Sequence, residues 1–199
     1  MADWHAGEVH LLAVVQLGER YRRYRLPDSG AETAMTGSVQ RYGQLTPLVV
    51  CLREETYEVL DGFKRLAAAR ALGLKTVSTR LLEANERLAK AAIFGLNQTG
   101  RRTQEWEDAW IVYALVREDG LTQVEVAELL GRHKSWVCRR LALLEKLSVA
   151  VRADLEVGLV VPSLARQLVR LPWLDSRGSY CHSGRARAAW SAARGWARR

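Results

Sequence analysis

The sequence predicts an α+β unit followed by an all-helical one, on three observations. Short β-rich runs alternate with helix-like stretches from about Val9 to Leu82. Capping residues and a 3.6-residue apolar period dominate from Asn85 onward. The run from Leu121 to Leu144 has the layout of two short helices joined by a tight glycine turn. The expected division is a small domain over residues 1–84, a helical domain over 85–172 with a helix-turn-helix at 122–144, and a basic tail over 173–199.

The elements follow in order. Val14–Leu17 is the first strand expected, and after it comes an Arg/Tyr-rich stretch, Arg20 to Arg25. Glu32 to Tyr42 reads as a helix ended by Gly43. Leu48–Leu52 and Tyr57–Leu60 flank a polar Arg53 to Thr56 and read as a hairpin. Phe63 to Leu72 is helical with Gly73 at its end, and Thr76 to Leu82 is another strand. Asn85 caps a helix reaching about Leu96. Thr103 precedes Glu105, Glu107 and Asp108, acids that suit the positive end of a helix dipole. In that helix Trp106, Ala109, Trp110 and Tyr113 form one stripe, expected to be core; Gly120 stops it. Ser148 starts a helix ending near Gly158, and Ser163 to Leu171 gives one more before Pro172.

Within the helix-turn-helix, Thr122 and Glu125 stand at capping-box spacing. Ala127 falls where the two helices pack closest, and Gly131 four residues on supplies the turn. Val137, Leu141 and Leu144 form the buried line of the second helix, so Ser135 and Arg139, opposite it at about 100° per residue, face outward. Between Gly131 and Leu144 there is no acid, but there are Arg132, Lys134, Arg139 and Arg140. Such a helix suits the major groove of duplex DNA, offering both phosphate and base-edge contacts. The residues expected to contact DNA are Gln123, Arg132, His133, Lys134, Ser135, Trp136, Arg139 and Arg140.

Composition sets outer limits. The net charge of +8 suggests an acidic partner, but Trp173 to Arg199 holds six arginines and one aspartate. The remaining 24 basic and 21 acidic residues are nearly balanced, so the case for nucleic acid rests on local charge. No apolar run approaches the roughly 18 residues of a membrane span, and the first residues lack a signal peptide's pattern. Cys51, Cys138 and Cys181 offer neither a disulfide framework nor metal-ligand spacing, and the four histidines are scattered. No catalytic or metal site is expected, and a cytoplasmic location is. The tail reads either as a basic arm adding non-specific DNA affinity or as a non-native ending.

Four stretches in order resemble the ParB-like family, bacterial partition and nucleoid-occlusion factors and their relatives on mobile elements. Tyr42-Gly-Gln-Leu-Thr-Pro-Leu-Val-Val50 is similar to the family's G-Q-x-x-P-hydrophobic stretch, and Asp61-Gly-Phe-Lys-Arg-Leu-Ala-Ala68 to its Gly-x-x-Arg-x-x-Ala motif. Gly131 to Val137 resembles its turn and recognition-helix start. Leu155–Leu159 and Ala165–Leu168 resemble the segments beyond.

The resemblance implies duplex DNA as partner, a ParB/sulfiredoxin-like N-terminal fold, and CTP with Mg²⁺ as cofactor, held through Gln44, Gly62, Lys64, Arg65 and Asn97. It further implies a homodimer through the N-terminal or helical domain, a ParA-type ATPase as partner, and a nucleoid-associated location. Physically, Gly62 admits a phosphate close to the backbone, the helix N-terminus offers free N–H groups, and Lys64 and Arg65 add charge.

The family's Glu-Asn-x-x-Arg is here Leu96-Asn97-Gln-Thr-Gly100 with Arg101 one place late, and leucine cannot ligate Mg²⁺. That argues against hydrolysis. Sulfiredoxin chemistry needs a cysteine where this chain has Phe63, and is excluded. The function expected is sequence-specific duplex binding in plasmid or chromosome partition or mobile-element maintenance, without covalent chemistry. The alternatives are a CTP-dependent switch or CTPase, a local transcriptional regulator, and a truncated mobile-element remnant.

Overall fold

The computed structural model describes residues 8–98 and 104–170. The expected cap Thr103 and the tail 173–199 lie outside the described residues. The chain divides into two compact units at Leu141/Ala142.

The first unit is built on a mixed sheet with strand order β1-β5-β3-β4-β2. β1 (Val9–Ala13) runs antiparallel to β5 (Thr76–Leu81), and β5 parallel to β3 (Leu48–Arg53). β3 and β4 (Thr56–Asp61) form the expected hairpin, with a bulge at Val49/Val50. The two-residue β2 (Leu17–Gly18) closes the other edge, parallel to β4. Helix α2 (Phe63–Ala71) makes the crossover from β4 to β5, and α1 (Ser29–Tyr42) packs beside it. Leu48, Val50, Val59, Leu60 and Leu66 are fully buried at the centre.

The start of the sheet corrects the sequence reading. The first strand is Val9–Ala13, and Val14–Gln16 is a 3-10 turn. Val14 is buried but Val15 is 94% exposed, so the β-branched pair marks a corner. β1 is an edge strand with one buried residue, Leu12, and so lacks the apolar alternation that betrays a strand. The Arg/Tyr-rich Arg20–Tyr24 is also a 3-10 turn. With three residues per turn, Tyr21 and Tyr24 fall on one face, both buried, their rings 6.3 Å apart.

Asn85 caps α3 (Glu86–Leu96) through the Leu88 N–H, as the sequence places it. Helix α1 begins at Ser29 instead of the expected Glu32, because Asp28 caps it through the Ala31 N–H. Helix α4 (Gln104–Tyr113) buries Trp106 and Ala109 completely, while Trp110 and Tyr113 lie half-buried against the core. Its last turn, Ala114–Glu118, is π-helical, with the Asp119 N–H reaching the Ala114 carbonyl at 3.0 Å. Helices α5 (Gln123–Leu129) and α6 (Lys134–Glu145) follow. In the second unit α7 (Val149–Glu156) is capped by Ser148, and α8 (Pro162–Arg170) completes the described chain.

Candidate functional site

The first candidate surface begins at α5. Thr122 accepts the Glu125 N–H, and the Glu125 carboxylate accepts the Thr122 N–H at 2.7 Å, completing the capping box. These bonds hold the exposed Glu125 carboxyl below its usual range. Val126 and Ala127 are buried, and Gly131 turns the chain at φ +61°. His133 then caps α6, its Nδ1 accepting the Ser135 N–H at 3.2 Å, with the Ser135 hydroxyl 2.8 Å from the same nitrogen. Val137 and Leu141 are buried, so the rest of the face is fixed by helix geometry. Lys134, Ser135, Cys138 and Arg139 are exposed on it. Lys134 and Arg139 make no ion pair among the described residues. Gln123, at the first position of α5, is half-exposed.

The other expected contact residues divide. Arg132 is exposed, donates to the Gln98 side chain at 2.8 Å, and lies over the rings of Phe94 and Trp136. Trp136 is half-buried, edge-on to Phe94 at 5.5 Å. Arg140 departs from the expectation of a DNA-facing side chain. It is turned toward α4, 3.1 Å from Glu105 and 3.9 Å from Asp108, and also lies over the Trp136 ring, 5.1 Å from its centroid. A guanidinium between two carboxylates and an indole is already neutralised, so it ties α6 to α4. Burial pushes the Asp108 carboxyl up to about 6, against the pull of Arg140 and Arg132.

The second candidate is a cavity of about 340 Å³ at the N-terminus of α2. Gly62, Lys64, Arg65 and Asn97 all line it, as do Arg22, Arg25, Asp28 and Glu107. Gln44 does not. Its side chain clips β5 instead, accepting the Ser78 N–H and donating to the Ser78 carbonyl, both at 2.7 Å. Gly62 has φ +100°, and a Cβ there would meet Leu48 Cδ2 at 2.3 Å. Folding alone therefore demands glycine, whatever the cavity holds. No side chain caps α2, which leaves its N-terminal dipole to the cavity.

The cavity's cations are already paired. Arg65 reaches Asp61 at 2.6 Å and donates to Thr46 and the Pro47 carbonyl, which makes it a clamp between two loops. Arg25 meets Glu107 at 2.9 Å, and the same carboxylate accepts the Leu26 N–H. Arg22 meets Glu32 at 2.6 Å. Lys64 has the loosest pairing, 3.2 Å from a half-exposed Asp28. Sequence reasoning missed Arg22, Arg25, Asp28 and Glu107. The density of arginine at 20–25 was the available signal, but nothing local tied it to residues 61–65.

The volume, the uncapped helix and Lys64 fit an anionic group such as a phosphate. A protein-held Mg²⁺ fits poorly: Leu96 is an exposed hydrocarbon, and no group of three His, Cys, Asp or Glu among the described residues is placed to hold a metal.

These features define an α+β domain joined in one unit to a helix-turn-helix. The family model of the ParB N-terminal domain matches residues 2–97, and that of the KorB domain matches residues 118–172. The chain belongs to the ParB-like family. It is 31% identical over 158 residues to a probable chromosome-partitioning protein ParB of Coxiella burnetii, covering 79% of this chain and 54% of that one. It is 32% identical over 167 residues to the chromosome-partitioning protein Spo0J of Thermus thermophilus, covering 83% of this chain and 61% of that one. The chain thus spans little more than half the length of these relatives. A pNOB8-like ParB N-domain structure matches in fold, at TM-score 0.54 and 16% identity, over 82% of this chain and 78% of that one.

Proposed function

We propose that this chain binds double-stranded DNA sequence-specifically, as part of a chromosome or plasmid partition system. The observation that carries it is the exposed, acid-free start of α6, where Ser135 and Arg139 share one face and Lys134 and Arg132 stand exposed at the helix's N-terminal end. Phosphate contacts from Lys134 and Arg132 would set register, and Arg139 and Ser135 would read base edges. Names of relatives that are partition proteins support the setting. A selection of bound duplexes from a random pool, with and without CTP, tests the reading. An enriched motif is expected. Recovery of unenriched sequence at every salt concentration would sink it.

The cavity supports a second role, binding the phosphates of a nucleotide. Lys64 and the α2 N-terminus would hold them, with Arg22, Arg25 and Asn97 around. The choice of CTP rests on family resemblance. Hydrolysis is not part of the proposal, since Leu96 stands where a metal-binding carboxylate is needed. Calorimetry with CTP and Mg²⁺ against the parent and a Lys64→Ala variant tests it: heat from the parent alone is expected, and none from either removes the role. Homodimerisation, a ParA-type ATPase partner and nucleoid association are proposed on family membership. No helix among the described residues is long and apolar enough to cross a membrane.

A further inference from the structure

A second charged cluster, which shares no side chain with either site, lies where α3, the 3-10 turn at Arg20–Tyr24 and the end of α4 meet. Its centre is Lys90, whose side chain is 2% exposed. The Lys90 ammonium donates to both Asp119 carboxylate oxygens at 2.8 Å, and Glu86 and Glu118 each stand 3.7 Å away. Glu118 is also held by Arg23 at 2.6 Å, and Glu86 by the Tyr21 hydroxyl at 2.8 Å. Arg87 donates to the Asp119 carbonyl. The sheet domain and α3 thus converge on two consecutive residues, Glu118 and Asp119.

Those two residues end the π-helical turn. The Asp119 N–H closes it on Ala114, and the Leu121 N–H reaches the Leu115 carbonyl at 3.1 Å. Thr122, the cap of α5, is three residues beyond Asp119. A π turn holds one residue more than an α turn, and each helical residue advances the chain by about 100°. Whether this turn is π or α therefore sets the direction in which α5, and with it α6, leaves the sheet domain.

We infer that Lys90 and Asp119 are positioning residues for the DNA-binding surface: their buried ion pair holds the π turn and so fixes the aim of the helix-turn-helix. A lysine buried in this way is not needed for stability alone. Replacing a buried ion pair with apolar side chains is commonly neutral or stabilising, whereas removing one partner is costly. The inference rests on the DNA-binding reading, and its test separates the two.

The probe is the duplex that the full-length parent enriches from a random pool. If the parent enriches none, the DNA-binding reading fails and the positioning role fails with it. If it does, Lys90→Met and the double variant Lys90→Met/Asp119→Leu are compared for urea stability, duplex affinity and amide exchange at Asp119 and Leu121. The single variant should lose both stability and affinity. The double variant should regain stability yet bind at least about tenfold more weakly than the parent, with changed exchange at the two amides. A merely structural pair would let affinity return with stability. Parent-like affinity in the stable double variant therefore overturns the positioning role and leaves DNA binding standing. Should the double variant fail to fold, Asp119→Asn keeps the side-chain shape and takes its place: weaker binding with a retained fold supports the inference, and parent-like binding overturns it.

Discussion

Arg140 and Glu105 face each other at 3.1 Å across α6 and α4, so one of the four cations in the recognition segment is spent inside the fold. Arg139, its neighbour, points outward with no ion pair among the described residues. Two adjacent arginines of one motif thus have different tasks, and substituting each separates them.

Arg139→Ala should leave thermal stability within about 0.5 kcal/mol of the parent, as for an exposed residue, while flattening sequence preference. A bidentate arginine–guanine contact is worth about 1–3 kcal/mol of discrimination. Arg140→Ala should do the reverse in denaturation, costing about 1–3 kcal/mol because Glu105 and Asp108 lose their shared partner. Selection experiments and urea titrations on both variants check the pair. An unchanged motif from Arg139→Ala would remove that residue as a base reader.

Asp108 makes the clamp sensitive to pH. Burial raises its folded-state value to about 6, above its unfolded value, so the folded chain holds this proton more tightly. Between about pH 4 and about pH 6 the folded state binds more protons, and the residue's contribution to stability falls as pH rises. Its full cost is present above about pH 6. Asp108→Asn should gain on the parent by up to about 3 kcal/mol between about pH 4 and about pH 7, read from urea midpoints. A difference independent of pH would contradict this account.

Lys64 and Arg65 are adjacent but not equivalent. Lys64→Ala gives up one loose pair with Asp28, so nucleotide-induced heat should disappear while the melting temperature holds. Arg65→Ala breaks contacts to Asp61, Thr46 and Pro47 and should cost about 2–4 kcal/mol with or without nucleotide. Differential scanning calorimetry separates the two outcomes.

Gly62→Ala should be destabilising by about 2–4 kcal/mol, combining a left-handed backbone with a methyl driven into Leu48. Leu48→Ala in the same chain should relieve the contact but not the backbone cost. Denaturation of both variants tests this; a Gly62→Ala chain as stable as the parent would mean that the turn adopts another conformation.

Much of this molecule was legible as sequence. The hairpin at 48–60, the caps at Asn85, Thr122 and Ser148, the turn at Gly131 and the buried Val137 all depend on residues within a few positions of one another. The opening strand was misplaced because an edge strand with one buried residue has no alternation to read, while Val14 and Val15 imitate a strand at a corner. The family motif groups Gln44 with the nucleotide residues, yet its side chain clips β5 at Ser78.

From its order of residues alone, the chain determined its fold class and the outward face of α6, because caps, glycine turns and apolar period act over one or two helical turns. Tertiary structure decided which charges remain available. Arg25 and Leu26 find Glu107 about 80 positions away, Lys64 finds Asp28, and Arg140 finds Glu105. An ion pair forms between side chains that the fold brings within a few ångströms. No local pattern records that distance, so the pairing of these charges could be known only once the chain had closed on itself.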